Sequence, residues 1–215
     1  MRNDRRRLAV LTAIIVTLVF SLAAGATAGP VVLSANVTCD NQFYFYVSSS
    51  PTAQGTLVDS GTDFQVDYPA TVNLTSGTWY LQFVGINTGP YSASNPGALL
   101  GSFSLSGIGA TFSNGTQSLV TNTTDWVVSK NGFGVSTYTP TSYGTNGVGP
   151  WGTIAGISSS AQWIWDSNPD YLATDLYFTT TLTVLPEPAA PWFWVGLGIV
   201  LFASSATRTR ARTRI

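Results

Sequence analysis

The chain has no histidine, one cysteine (Cys39) and one glutamate (Glu187) among its 215 residues. Without histidine it lacks the commonest general base, the commonest zinc ligand and every Ser–His or Cys–His nucleophile pair. A single cysteine excludes an internal disulfide. The run-in Asn36-Val37-Thr38 is wrong for a lipid-attachment cysteine, and a half-buried structural thiol is expected in preference to an intermolecular bridge. Charge is scarce, at 9% of residues, and positive charge is nearly missing from the middle. Between residues 29 and 188 only Lys130 is basic, against Asp40, Asp59, Asp63, Asp67, Asp125, Asp166, Asp170, Asp175 and Glu187. Such a region is a poor partner for nucleic acid or anionic lipid and suits neutral sugars, cations or water.

The remaining basic residues sit at the two ends, each beside an apolar run. Arg2, Arg5, Arg6 and Arg7 precede the stretch Leu8 to Ala24, and Ala26-Thr27-Ala28 follows. A basic start, an apolar run and a small-residue site with Ala26 and Ala28 predict a secretory signal peptide, residues 1–28, cut after Ala28. The alternative is an uncleaved signal anchor. At the other end, residues 185–215 hold Pro186-Glu187-Pro188, an uncharged run over 189–206, and Arg208, Arg210, Arg212 and Arg214. The prolines favour an extended segment. The apolar run lies near the lower length limit of about 17 residues for a transmembrane helix. The arginines would stay cytoplasmic.

Between these ends, residues 29–184 show no helix-length apolar period. Short alternating or β-branched runs separated by turn residues predict one all-β sandwich domain. The first clear strand is Gln42 to Val47, with Phe43, Phe45 and Val47 on one face and Tyr44 and Tyr46 on the other; Cys39-Asp40-Asn41 reads as a turn before it. Further strands are expected at Gly55–Ser60, Thr71–Leu74, Thr78–Ile86, Ala98–Leu105, around Asp125–Ser129, at Ala161–Trp165 and at Asp175–Val184. Lys130 to Pro150, with five glycines between Gly132 and Gly149, reads as a long loop, and loops of that length are usually functional.

The tail, with Pro186, Glu187 and Pro188, the aromatic entry Trp192-Phe193-Trp194 and the arginine-rich end, resembles the PEP-CTERM sorting signal of Gram-negative bacteria. That resemblance implies recognition by the membrane enzyme exosortase, transient anchoring through the C-terminal helix, and delivery to the cell surface or the extracellular polysaccharide matrix. The alternative is an ordinary single-pass anchor. The middle carries Asp40-Asn41 before an aromatic strand, Gly77 to Asn87, Pro96 to Leu100, Thr124-Asp125-Trp126, Gly149-Pro150-Trp151-Gly152 and Ala161 to Trp165. In that order these motifs resemble galactose-binding-like jelly-roll domains. The resemblance implies an all-β jelly-roll sandwich, with sugar binding and a structural calcium ion in many members.

Candidate binding residues follow from chemistry. Sugar rings stack on exposed aromatic faces, which singles out Tyr91, Tyr138, Tyr143 and Trp151 in expected loops; the competing role for each is core packing. Core packing is the expectation for Trp79, Trp126, Trp163 and Trp165. Asp166, Asn168 and Asp170 alternate as oxygen ligands do at the start of a calcium loop, but Tyr171 stands where glycine is needed, so a hydrogen-bonded turn is the better account. No catalytic residue is assigned. Eight aspartates always offer some pair of carboxylates, so their number is no argument for acid–base hydrolysis. The sequence therefore predicts an exported, non-catalytic surface or matrix protein. It would bind polysaccharide or act structurally, with no cofactor unless calcium; a small secreted glycan hydrolase is the alternative.

Overall fold

The computed structural model describes residues 30–89, 95–167 and 175–186, which fall within one compact unit, Ala28–Pro186. The signal segment with Ala26 and Ala28, and the tail with Glu187, Pro188 and the 189–206 run, lie outside the described residues, as do Tyr91, Asn168 and Asp170. Among the described residues there is no helix, and hence none long and apolar enough to cross a membrane.

The described residues form twelve strands in two six-stranded sheets. In chain order they are β1 (Val31–Asp40), β2 (Gln42–Ser48), β3 (Thr56–Gly61), β4 (Tyr68–Leu74), β5 (Gly77–Ile86) and β6 (Ala98–Ser106). The second half holds β7 (Ala110–Phe112), β8 (Ser118–Val120), β9 (Val127–Ser129), β10 (Thr141–Thr145), β11 (Gln162–Trp165) and β12 (Asp175–Val184). Sheet A runs β10-β11-β6-β1-β4, with β8 also on β6; sheet B runs β3-β2-β5-β12-β7, with β9 also on β12. Every pairing is antiparallel.

Period-2 alternation builds the shared core. Val31, Leu33, Ala35, Val37 and Cys39 of β1 and Leu99, Phe103 and Leu105 of β6 face Phe43, Phe45 and Val47 of β2 and Leu81 and Phe83 of β5. Phe45 and Phe83, directly paired across β2 and β5, stack at 4.4 Å and 3°; truncating such a core ring costs about 3–5 kcal/mol. Two sheets enclosing one apolar core make this a β-sandwich, as the alternation predicts.

Two expectations are corrected. Cys39 and Asp40 do not form a turn before the first strand; they end β1, and only Asn41 separates it from β2. The small residues Ser34, Ala35 and Asn36 dilute the apolar signal of β1 without breaking its alternation. The segment from Lys130 to Pro150 is not all loop, because Thr141–Thr145 pairs with β11. Its Gly144, at φ +117°, interrupts any readable strand pattern.

A second apolar cluster lies on the opposite face of sheet A. There Ala98 and Leu100 of β6 and Trp163 of β11 are covered by Trp151, Ile154, Ile157 and Ala161. Asn146 holds this cover down: its Nδ2 donates to the carbonyls of Ile154 (3.0 Å) and Ile157 (2.9 Å), and its Oδ1 accepts from Ile154 N (2.8 Å).

Candidate functional site

The strand register gathers the sequence candidates at one end of the sandwich. Asp40 pairs with Ala98, Gln42 and Asp175 both pair with Ile86, Ser129 pairs with Tyr177, and Thr141 pairs with Trp165. The ends of β1, β5, β9 and β11 thus meet the starts of β2, β6, β10 and β12. This is the Asn41 end. The opposite end, where Val184 pairs with Gly77 and Ala110 and Val31 pairs with Leu74, is the Leu185 end.

Asn41 is the corner where the chain passes from sheet A to sheet B. Its N–H donates to the carbonyl of Ile86 (3.0 Å), and its Oδ1 accepts from Thr88 N (2.7 Å) and Thr88 Oγ1 (3.0 Å). Asn87 Nδ2 donates to Asn95 O (3.3 Å) and Asn95 Nδ2 to Thr88 O (3.1 Å). Asn87 is buried, yet its Oδ1 accepts no hydrogen bond. A buried acceptor without a donor is costly, so this atom favours a water or a ligand hydroxyl beside it.

Lys130 and Asp166 make the electrostatic centre of this end. Lys130 Nζ lies 2.6 Å from Asp166 Oδ2, with the lysine side chain 22% exposed and the aspartate 5%. The pair joins the residue after β9, in sheet B, to the residue after β11, in sheet A. The ammonium also sits 5.8 Å from the centroid of the Tyr138 ring, within cation–π range. Tyr138 is held by two backbone hydrogen bonds to Val128, of 2.8 and 2.9 Å. From β10, Tyr143 donates its hydroxyl to the carbonyl of Asp166 (2.7 Å) and meets the Trp151 ring edge-on at 6.5 Å.

The structure therefore brings Tyr138, Tyr143, Trp151 and Asp166 into one constellation. It also corrects their expected presentation. Trp151 is not an exposed stacking platform; it is 5% exposed, lies 4.7 Å from Trp163 at 21°, and donates Nε1–H to Asp40 Oδ2 at 2.9 Å. The physical reason is the second apolar cluster, which Trp151 closes. Tyr138 and Tyr143 are half-buried, with rings packed against the core. Trp126, Trp163 and Trp165 are core residues as expected, whereas Trp79 is only partly buried at the core margin.

Burial sets the titration of this end. Burial raises the Asp40 carboxyl above its ordinary value, opposed by the Trp151 hydrogen bond. Cys39, fully buried rather than half-buried, has its thiol raised by burial and then by the Asp40 charge. On the outer face of sheet B, Tyr46 is raised by burial and by the neighbouring phenols of Tyr44 and Tyr177.

The Asp166 carboxylate holds a lysine cation; its companions in the calcium-loop reading, Asn168 and Asp170, lie outside the described residues, among which no three Cys, Asp or Glu side chains converge as a metal site. Sequence reasoning read Asn41 as a turn former and Asn87 only as the end of a motif, and it did not single out Lys130 as a site residue. The signal for Lys130 was its isolation as the one base between residues 29 and 188: a lone cation among many carboxylates is apt to be committed to one of them. No protein-family model matches the chain, and comparison with curated proteins and with solved structures likewise finds no match.

Proposed function

We propose that this chain is an exported, non-catalytic β-sandwich that binds neutral polysaccharide at its Asn41 end. It is delivered to the cell surface or extracellular matrix through a tail handled by an exosortase. One observation carries the binding reading: the Asn41 end combines a fixed ion pair, two half-buried tyrosines and a buried acceptor lacking a donor. Neutral sugars offer what such a site takes, hydroxyls for Lys130, Asp166 and Asn87 and C–H faces for tyrosine rings. The carboxylates here are engaged, Asp166 with Lys130 and Asp40 with Trp151. Engaged groups suit the holding of hydroxyls better than the cycling of protons.

The finer fold assignment, a galactose-binding-like jelly roll, belongs to the same proposal. It is supported by the passage of the chain back and forth between sheets, with β1, β4, β6 and β8 in sheet A and β2, β5, β7 and β9 in sheet B, as jelly-roll connections do. Export is supported by the composition of the two ends.

The test is electrophoresis through native gels containing a panel of neutral polysaccharides. The chain is expected to be retarded in at least one gel. Soluble oligosaccharide should relieve the retardation, and Tyr138→Leu, which keeps the packing, should abolish it. Free migration across the whole panel would remove the binding reading and leave a structural role. Release of new reducing ends would establish the hydrolase instead.

A further inference from the structure

The Leu185 end carries an exposed apolar tip that the sugar-binding reading does not use. Between β6 and β7 the chain turns through Gly107 (φ +107°) and Gly109 (φ +79°), backbone conformations that suit glycine. The residue between them, Ile108, is 78% exposed, the highest value among the large hydrophobic side chains described. Leu185, at 61%, is the next. The two belong to one patch: Leu185 N donates to Gly109 O at 2.8 Å, and a side-chain carbon placed on Gly109 would come within 3.3 Å of Leu185 Cβ. The start of β1 lies there too, since a side-chain carbon on Gly107 would meet Val31 Cγ2 at 3.1 Å.

We infer that this tip is a lipid-contacting face, with Ile108 and Leu185 seated in the interfacial layer of the bilayer that the tail enters. The inference rests on the tail reading given above. The short reach of the connecting chain fixes which end meets the bilayer. The apolar run begins at residue 189, so only residues 186–188 separate it from Leu185. Even fully extended, that connection covers no more than about 14 Å. If the run enters hydrocarbon, the Leu185 end is held at the headgroups, and its most exposed aliphatic side chains are the ones that meet them. Electrostatics offers this acidic domain little at a lipid surface. Its lone lysine is at the other end, so apolar contact is the attraction available. The orientation has a functional consequence. The ten-residue β12 starts at the Asn41 end and finishes at the Leu185 end, so the sugar-facing end projects outward by about 33 Å.

The experiment uses the full chain reconstituted in phosphatidylcholine vesicles, in a Cys39→Ala background. An environment-sensitive dye is attached at Ile108→Cys or, as the far-end control, at Ser167→Cys, next to Asp166. The expected result is blue-shifted emission at position 108, quenched by bromine-bearing lipid, and water-like, unquenched emission at 167. Insertion of the tail is scored separately by resistance to alkaline extraction. An inserted tail with a water-like label at 108 overturns the lipid contact alone. A blue shift without lipid quenching also overturns it, by showing burial against protein. Extraction of the chain by alkali overturns the tail reading, and this inference with it.

Discussion

Replacing Trp151 by Phe should destabilise the protein in a pH-dependent way, and the pH dependence separates two contributions of one indole. Trp151 packs on Trp163 at 4.7 Å, and its N–H meets the buried Asp40 carboxylate at 2.9 Å. Phenylalanine keeps much of the ring contact and deletes the donor. Burial already raises Asp40 in the folded state, so the native protein binds more protons there than the unfolded chain does. Its stabilising contribution is then complete below the unfolded value, about 3.9, and is lost as pH rises through the higher folded value. Removing the donor raises the folded value further and deepens that loss. A hydrogen bond to a charged group contributes about 1.5–3 kcal/mol and a neutral one about 1 kcal/mol. The variant should therefore lose about 1 kcal/mol more at pH ~8 than at pH ~3, on top of a pH-independent packing loss. For a chain of this size that extra loss lowers Tm by roughly 2–4 °C. Thermal unfolding followed by circular dichroism across the range is the assay. Asp40→Asn, which keeps an acceptor for the indole and removes the charge, should be more stable than the wild type at pH ~8 and indistinguishable from it at pH ~3. An equal Trp151→Phe deficit at both pH values would refute the reasoning, because the indole would then not be holding a charge.

Lys130→Met should cost about 2–4 kcal/mol in denaturant unfolding, because it leaves the Asp166 carboxylate buried without its cation. Adding Asp166→Asn should recover most of that loss, and an additive double variant would show that the pair is not coupled. Gly97→Ala should cost about 1–3 kcal/mol by overpacking, since its new carbon would lie 2.6 Å from Trp165 Cε2; unchanged stability and unchanged near-ultraviolet dichroism would show that the indole yields freely.

The strand scaffold was legible because alternation is a local signal. Phe43, Phe45 and Val47 against Tyr44 and Tyr46 separated as read. The limits of β12 fell at Asp175 and Val184 as expected, and Leu99, Phe103 and Leu105 share the inner face of β6. Three-residue strands such as β7 and β8 were missed because so short a run carries no period. The second apolar cluster was illegible for a different reason. Trp151, Ile154 and Ile157 are scattered through turn-forming residues, and only the folding of that segment over β6 turns them into a layer. That non-local event moved Trp151 from an expected binding surface into the core. Tyr138, Tyr143, Trp151 and Asp166 could be named by type, but their commitments could not, because each commitment joins distant parts of the chain: Trp151 with Asp40, Lys130 with Asp166.

Those commitments explain how a domain without disulfides keeps its loop end in order. Three of the polar ties there span separate elements. Asn41 fastens the β1–β2 corner to the residues after β5, Tyr143 fastens β10 to the end of β11, and Lys130 with Asp166 fastens one sheet to the other. None of these side chains lies deep in the main core, where an ionic or amide group would cost most in desolvation. They sit at its rim, where a partner is cheap to satisfy and geometry can still be enforced. On the proposed sugar-binding reading this means preorganisation: a ligand hydroxyl arriving at Lys130, Asp166 or Asn87 would meet groups already fixed by other bonds, so little side-chain freedom would be lost on binding. The same logic makes the site vulnerable at its junctions. Lys130 illustrates this, since one substitution there would loosen the tie between sheets and the cation over Tyr138 together.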